Sequence, residues 1–184
     1  MSALLDGRQL ALVRGGRLLF EGLDVALGPG EALHVTGPNG CGKSSLIRLV
    51  AGLLRPVAGT IDRAKVALAD EHLALDRELG LASALALWRG PKRGAALAAY
   101  DLERLADVPV RMLSTGQARR ARLARVMASG APLWLLDEPL NGLDSAGAGQ
   151  LAKAIADHRT AGGAVLAASH HPLSGDWRTL ELAR

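Results

Sequence analysis

The run Gly37-Pro38-Asn39-Gly40-Cys41-Gly42-Lys43-Ser44 carries two glycines five apart followed by a lysine and a hydroxyl, the spacing of a phosphate-cradling P-loop. Glycines let successive backbone N–H groups close around phosphate oxygens, and a helix starting at the lysine adds positive potential. In such a loop Lys43 would reach the β- and γ-phosphates, Ser44 would ligate Mg2+, and Ser45 would continue the cradle. A second group follows much later: the apolar run Leu133-Trp134-Leu135-Leu136 ends in Asp137-Glu138-Pro139. An acidic pair at a strand end is, alone, more often a solvated terminus. Joined to the loop upstream, it reads as a Walker B strand: Asp137 would hold magnesium through water and Glu138 would polarise the attacking water. ATP and Mg2+ are the cofactors this chemistry requires.

These groups work only if strands and helices deliver them to one place. Ala32 to Thr36 reads as a buried strand running into Gly37, and Leu46, Ile47, Leu49 and Val50 recur on one helical face that stops at Gly52. Upstream, Gln9 to Val13 and Leu18 to Leu27 read as strands broken at Gly15-Gly16, with a turn at Gly28-Pro29-Gly30. Two short strands are expected between Gly59 and Ala69. Helical pattern follows from Leu79 to Leu105, interrupted by a loop at Arg89 to Gly94, and a further helix runs from about Gln117 to Ala128. Leu133 to Leu136 and Ala164 to Ala168 are apolar throughout, as strands covered on both faces are. Between them Ser145 is placed to N-cap a helix whose Leu151, Ile155 and His158 face one way. The expected fold is α/β: a P-loop NTPase with a mostly parallel core sheet, an antiparallel N-terminal β part and a small helical subdomain. One domain over residues 1–184 is expected, with the helical insertion at about 79–128.

Composition narrows the partners. The chain has 184 residues, 49% of them hydrophobic, with 22 Lys+Arg against 18 Asp+Glu. A net charge of +4 with 3% aromatics leaves neither the basic surface nor the stacking platforms of a nucleic-acid binder. The start, Met1 to Asp6, has no basic cluster followed by an apolar stretch, so no secretory signal is expected and the chain should stay in the cytoplasm. The longest apolar stretch, near Leu81 to Trp88, falls far short of the roughly 20 residues that cross a bilayer. One cysteine, Cys41, excludes an internal disulfide and a cysteine zinc cluster. Crowded by backbone N–H groups at a helix head, Cys41 is expected to be a reactive thiol if solvent reaches it.

Leu113-Ser114-Thr115-Gly116-Gln117 chooses among P-loop classes. It resembles the ABC signature LSGGQ, with Thr115 for the first glycine, and falls between P-loop and Walker B as that family requires. The resemblance implies that Ser114, Gly116 and Gln117 serve ATP held on the opposite subunit of a head-to-tail homodimer. It also makes Asn141-Gly142-Leu143-Asp144 a D-loop, with Asp144 facing the partner, and His170 of Ser169-His170-His171 the switch histidine touching the γ-phosphate. For His170 a satisfied interior histidine is the competing reading. Two places depart from the ABC pattern. The adenine-stacking aromatic is missing from Val13-Arg14-Gly15-Gly16-Arg17, which leaves Arg14 or Arg17 to stack by a guanidinium plane. The Q-loop glutamine is missing from Asp70-Glu71-His72, which makes Glu71 the nearest substitute beside the metal.

The likeness sharpens at Asp107-Val108-Pro109-Val110-Arg111-Met112 through Arg120, at Arg17-Leu18-Leu19-Phe20 and at Ala131-Pro132-Leu133-Trp134. There the chain is similar to the ATP-binding subunits of the cytochrome c biogenesis heme exporter, the CcmA family. That resemblance implies an ATPase homodimer on integral membrane subunits of a heme-handling ABC complex, peripheral on the cytoplasmic face of the inner membrane, where hydrolysis releases a heme-loaded chaperone. The chain itself shows no heme site: His72, His158 and His171 lie in no attachment motif. Two other readings remain open, an ATPase of another ABC transporter and a soluble ABC ATPase acting in translation or on DNA. The second would need two ATPase halves or long heptad segments, and the chain has neither.

Overall fold

The computed structural model describes residues 3–72, 74–88 and 93–182. Two sheets build it. The first is antiparallel, in the order β2-β1-β4, from β1 (Leu5–Arg14), β2 (Arg17–Leu27) and β4 (Ala58–Arg63). Gly15 and Gly16, both at positive φ, form the two-residue turn between β1 and β2 that matches strand twist. The second sheet has five strands in the order β5-β6-β7-β3-β8, every neighbouring pair parallel. Its members are β3 (Ala32–Thr36), β5 (Val66–Ala69), β6 (Leu133–Asp137), β7 (Ala164–Ala168) and β8 (Arg178–Glu181).

Side-chain alternation along these strands sorts the interior into two layers. Leu133 and Leu135 of β6 pack with Leu33 and Val35 of β3 and with the helix α1 (Lys43–Ala51), beneath the antiparallel sheet. Trp134 and Leu136 point the other way, toward α4 (Thr115–Ala128) and α5 (Ser145–Thr160). All five residues of β6 and of β7 are buried, the reason their sequences are apolar throughout apart from Asp137 at the end of β6. In α1 the periodic Leu46, Ile47, Leu49 and Val50 are all buried, which stabilises the helix seat by about 1.5–3 kcal/mol per side chain. Gly52 ends α1 in the left-handed conformation, its N–H bonded back to Arg48 and Leu49 carbonyls.

The helical stretch after β5 divides into α2 (Leu81–Ala86), α3 (Arg93–Ala99) and two 3-10 turns, Glu103–Leu105 and Val110–Met112. Of the loop expected at Arg89 to Gly94, residues 89–92 lie outside the described ones, and Arg93 and Gly94 already belong to α3. Two expectations are corrected and one strand is added. α4 starts at Thr115 rather than Gln117, because Ser114 and Gln117 form a reciprocal capping box: the Gln117 N–H donates to Ser114 Oγ, and the Ser114 N–H to Gln117 Oε1. The cap of α5 is Asp144, not Ser145; its carboxylate accepts the Gly147 N–H at 2.7 Å. Strand β8, for which nothing in the sequence pattern asked, adds to the edge of β3.

Candidate nucleotide site

The loop between β3 and α1 turns on glycines where no other residue fits. Gly37 has φ +136°, and a Cβ there would stand 2.5 Å from the Leu182 carbonyl oxygen and 2.9 Å from Cys41 Sγ. Gly42 caps α1 at φ 113° with no side chain covering the helix start, and the first turn carries no acidic residue. The positive end of α1 therefore carries no capping side chain or acidic residue of its own and faces the loop, an arrangement that favours an anion. Lys43 Nζ donates to the carbonyls of Gly37 at 2.8 Å and Pro38 at 3.1 Å, which folds the lysine along the inside of the loop.

From the C-terminal end of β6 come both carboxylates. Ser44 Oγ donates to Asp137 Oδ1 at 2.9 Å. Burial raises the Asp137 carboxyl above the ordinary carboxylate range, opposed by the Ser44 hydrogen bond and by Arg48. Glu138 has φ 48°, and its N–H donates to the Ala168 carbonyl at 2.8 Å, so the backbone turns sharply out of the sheet there. Its carboxylate meets His170 twice: the His170 N–H donates to Oε2 at 3.3 Å, and Nε2 lies 3.4 Å from Oε1. His170 is partnered by the Glu138 carboxylate and its side chain is 47% exposed, so it is not an interior histidine.

Lys43, Ser44, Glu138 and His170 share one cavity of about 520 Å³ with Asn39, Gly40, Gly42, Ser45 and Arg14. Arg14 donates to Ser45 Oγ at 3.3 Å, so of the two arginines proposed for the base it is Arg14 that borders the cavity; Leu19 lies on the same wall. Asn141 also lines it and was missed as a site residue, although its place two residues after Pro139 in the strand-end turn was a usable signal. A hollow of about 260 Å³ adjoins, walled by Ser44, Arg48, Glu71, Arg122, Asp137 and Glu138. Glu71 reaches this hollow, but its side chain is 77% exposed and lies 3.8 Å from Arg48. The hydroxyl and carboxylate of Ser44 and Asp137 are hard oxygen donors, the set that suits Mg2+.

Cys41 departs from expectation. It is 2% exposed, packed into the apolar layer under the loop, and absent from the cavity wall. Its N–H donates to the Pro38 carbonyl at 3.3 Å within the loop. Ser114, Gly116 and Gln117 stand apart from the cavity at the exposed head of α4, and Asp144 is engaged by its own helix. The ring of His158, expected on the inner side of α5, stacks on Trp134 at 3.9 Å, remote from the phosphate loop.

The family described as ABC transporter matches residues 20–141. The cytochrome c biogenesis ATP-binding export protein CcmA of Sphingopyxis alaskensis is 56% identical over 95% of this chain and 93% of its own length. CcmA of Novosphingobium aromaticivorans is 56% identical over 90% of this chain and 87% of its own. Among solved structures, an ATP-binding subunit of an ABC transporter superposes with a TM-score of 0.83 at 24% identity, covering 91% of this chain and 79% of that one.

Proposed function

Since the chain belongs to the ABC transporter family, in its group of cytochrome c biogenesis ATP-binding export proteins, we propose that it powers a membrane complex handling heme for cytochrome c assembly. It is an ABC ATPase: it binds nucleotide and hydrolyses ATP. One observation carries the assignment of roles, the convergence of Lys43, Ser44, Glu138 and His170 on a single cavity with Asp137 hydrogen-bonded behind Ser44.

In this reading the backbone N–H groups of Asn39, Gly40, Cys41, Gly42, Lys43, Ser44 and Ser45, at the head of α1, hold the phosphates, while Gly37 and Pro38 shape the turn and offer their carbonyls to Lys43. Lys43 exchanges its two carbonyl acceptors for β- and γ-phosphate oxygens. Ser44 directly and Asp137 through water would hold Mg2+, with Glu71 at the rim; the ion would neutralise charge on the phosphates. Glu138, aimed by the His170 N–H, accepts the proton of the attacking water, and His170 Nε2 reaches the γ-phosphate side. Arg14 provides the flat surface for the base.

The head of α4 is exposed and its Ser114, Gly116 and Gln117 lie off the cavity, which favours a head-to-tail homodimer in which they close the partner's site, Asp144 lying at the same junction. Residues 1–184 then act as one nucleotide-binding domain with the insertion at about 79–128. Among the described residues no helix is long and apolar enough to cross a membrane. The likeness to ATP-binding export proteins supports attachment to integral membrane subunits on the cytoplasmic face. The test is purification of the tagged chain from membranes of its own host under mild detergent. Recovery of membrane proteins encoded with heme-delivery genes supports the reading; recovery of an unrelated permease moves the chain to another transporter.

A further inference from the structure

Two arginines on α4 are buried, Arg122 at 7% exposure and Arg125 at 3%. They stand about one turn apart and reach the same strand: Arg122 Nη1 donates to the Asp70 carbonyl, where β5 has just ended, and Arg125 Nη2 to the Leu68 carbonyl within it. In both, Nε has no partner. Burial pulls both guanidinium groups below the usual arginine range, Arg125 to about 10. Burying a cation with a donor left over is a poor device for stability alone.

The two differ in what else they face. Arg125 lies under the ring of Trp88, with Cζ 4.5 Å from the centroid, a cation–π seat inside the helical layer. Arg122 instead walls the hollow that holds Ser44, Asp137 and Glu71, and it also lines the groove beside Thr115 and Arg119 at the head of α4. It is thus one side chain that borders the metal side of the nucleotide cavity, the signature helix and the residue after which the expected glutamine is missing. We propose that Arg122 is a positioning residue of the ATPase site, clamping the 70–72 segment to the signature helix so that the metal side of one site and the surface offered to the other move together. This rests on the ATPase reading above and adds to it a fixed mechanical link between α4 and the loop after β5.

The experiment uses the full chain and three variants, Arg122→Met, Arg122→Lys and Arg125→Met, with three measurements: ATP binding without magnesium, steady-state hydrolysis, and amide hydrogen exchange of the nucleotide-free protein. Arg122→Met is expected to bind ATP within twofold of the parent and to lose about tenfold or more in kcat, the scale of one charge-assisted hydrogen bond. Exchange of the amides of residues 70–72 should quicken by a similar factor. Arg122→Lys, which can still donate to one carbonyl, should recover at least half of kcat. Arg125→Met should lower the unfolding temperature and leave kcat within twofold. The proposal is overturned by unchanged exchange at 70–72 in Arg122→Met, by a loss of ATP affinity matching the loss of kcat, by no rescue with lysine, or by an equal loss in Arg125→Met. A parent chain that binds no ATP would refute the ATPase reading instead, while the exchange result would still decide the clamp.

Discussion

Replacing Gly37 by alanine is expected to damage the nucleotide site through the backbone rather than through any lost side chain. At φ +136° an L-residue carries a strain of about 1–2 kcal/mol or more. The added Cβ would also press on the Leu182 carbonyl at 2.5 Å and on Cys41 Sγ at 2.9 Å. The carbonyl is backbone, and the neighbouring Leu182 N–H is bonded to the Thr36 carbonyl, so main chain rather than a flexible side chain must shift to make room. Relieving that overlap costs roughly 1–3 kcal/mol more. The total of about 2–5 kcal/mol corresponds to a fall of roughly 4–20 °C in the unfolding temperature for a chain of this size. The assay is thermal unfolding with and without Mg-ATP, beside Gly149→Ala as a control. Gly149 lies exposed within α5 with nothing within 4 Å of a built Cβ, so alanine there should raise the unfolding temperature slightly. Gly37→Ala should fall into the stated range and lose the shift that Mg-ATP gives the parent. An unfolding temperature within 2 °C of the parent's, with the nucleotide shift intact, would refute the argument that Leu182 and Gly37 are in fixed contact.

Two further outcomes follow from the same geometry. Mixing Ser114→Arg protein with Lys43→Ala protein, where subunits exchange, should restore one working site per heterodimer; activity no greater than the sum of the two mutants alone would contradict the head-to-tail arrangement. Cys41, buried under the loop, should react with a maleimide at least tenfold more slowly than an exposed thiol, and Cys41→Ala should keep hydrolysis; rapid labelling of the folded, nucleotide-free protein would show that the loop opens or is misplaced.

Much of this molecule was legible where one physical signal dominated. Ala164 to Ala168 was readable to the residue because burial on both faces leaves no polar position to blur its ends, and Ala32 to Thr36 because it runs straight into the glycine that opens the phosphate loop. The stop at Gly52 was readable because the chain needs a left-handed residue there. Strand β8 was not, since Arg178-Thr179-Leu180-Glu181 lies at the sheet edge, mostly exposed, and carries no hydrophobic run. The choice between Asp144 and Ser145 as cap was invisible because both residue types cap well and stand side by side. Cys41 misled for a related reason: its loop position implied exposure, while the turn at Gly37 tucks the thiol into the apolar layer. Asn141 had a signal that went unused, its place in the turn after Glu138-Pro139, which brings it to the cavity wall.

The account stands or falls on Glu138 as the carboxylate that acts on water and on Lys43 as the group that holds phosphate. The direct measurement is ATP binding, dimer formation and turnover in Glu138→Gln compared with Lys43→Ala. Glu138→Gln should bind Mg-ATP as the parent does, run as an ATP-bound dimer in size-exclusion chromatography, and hydrolyse about 10²–10⁴-fold more slowly, the usual worth of a general base. Lys43→Ala should bind no ATP at the same concentrations and stay monomeric. Hydrolysis by Glu138→Gln at the parental rate would contradict the assignment of the site.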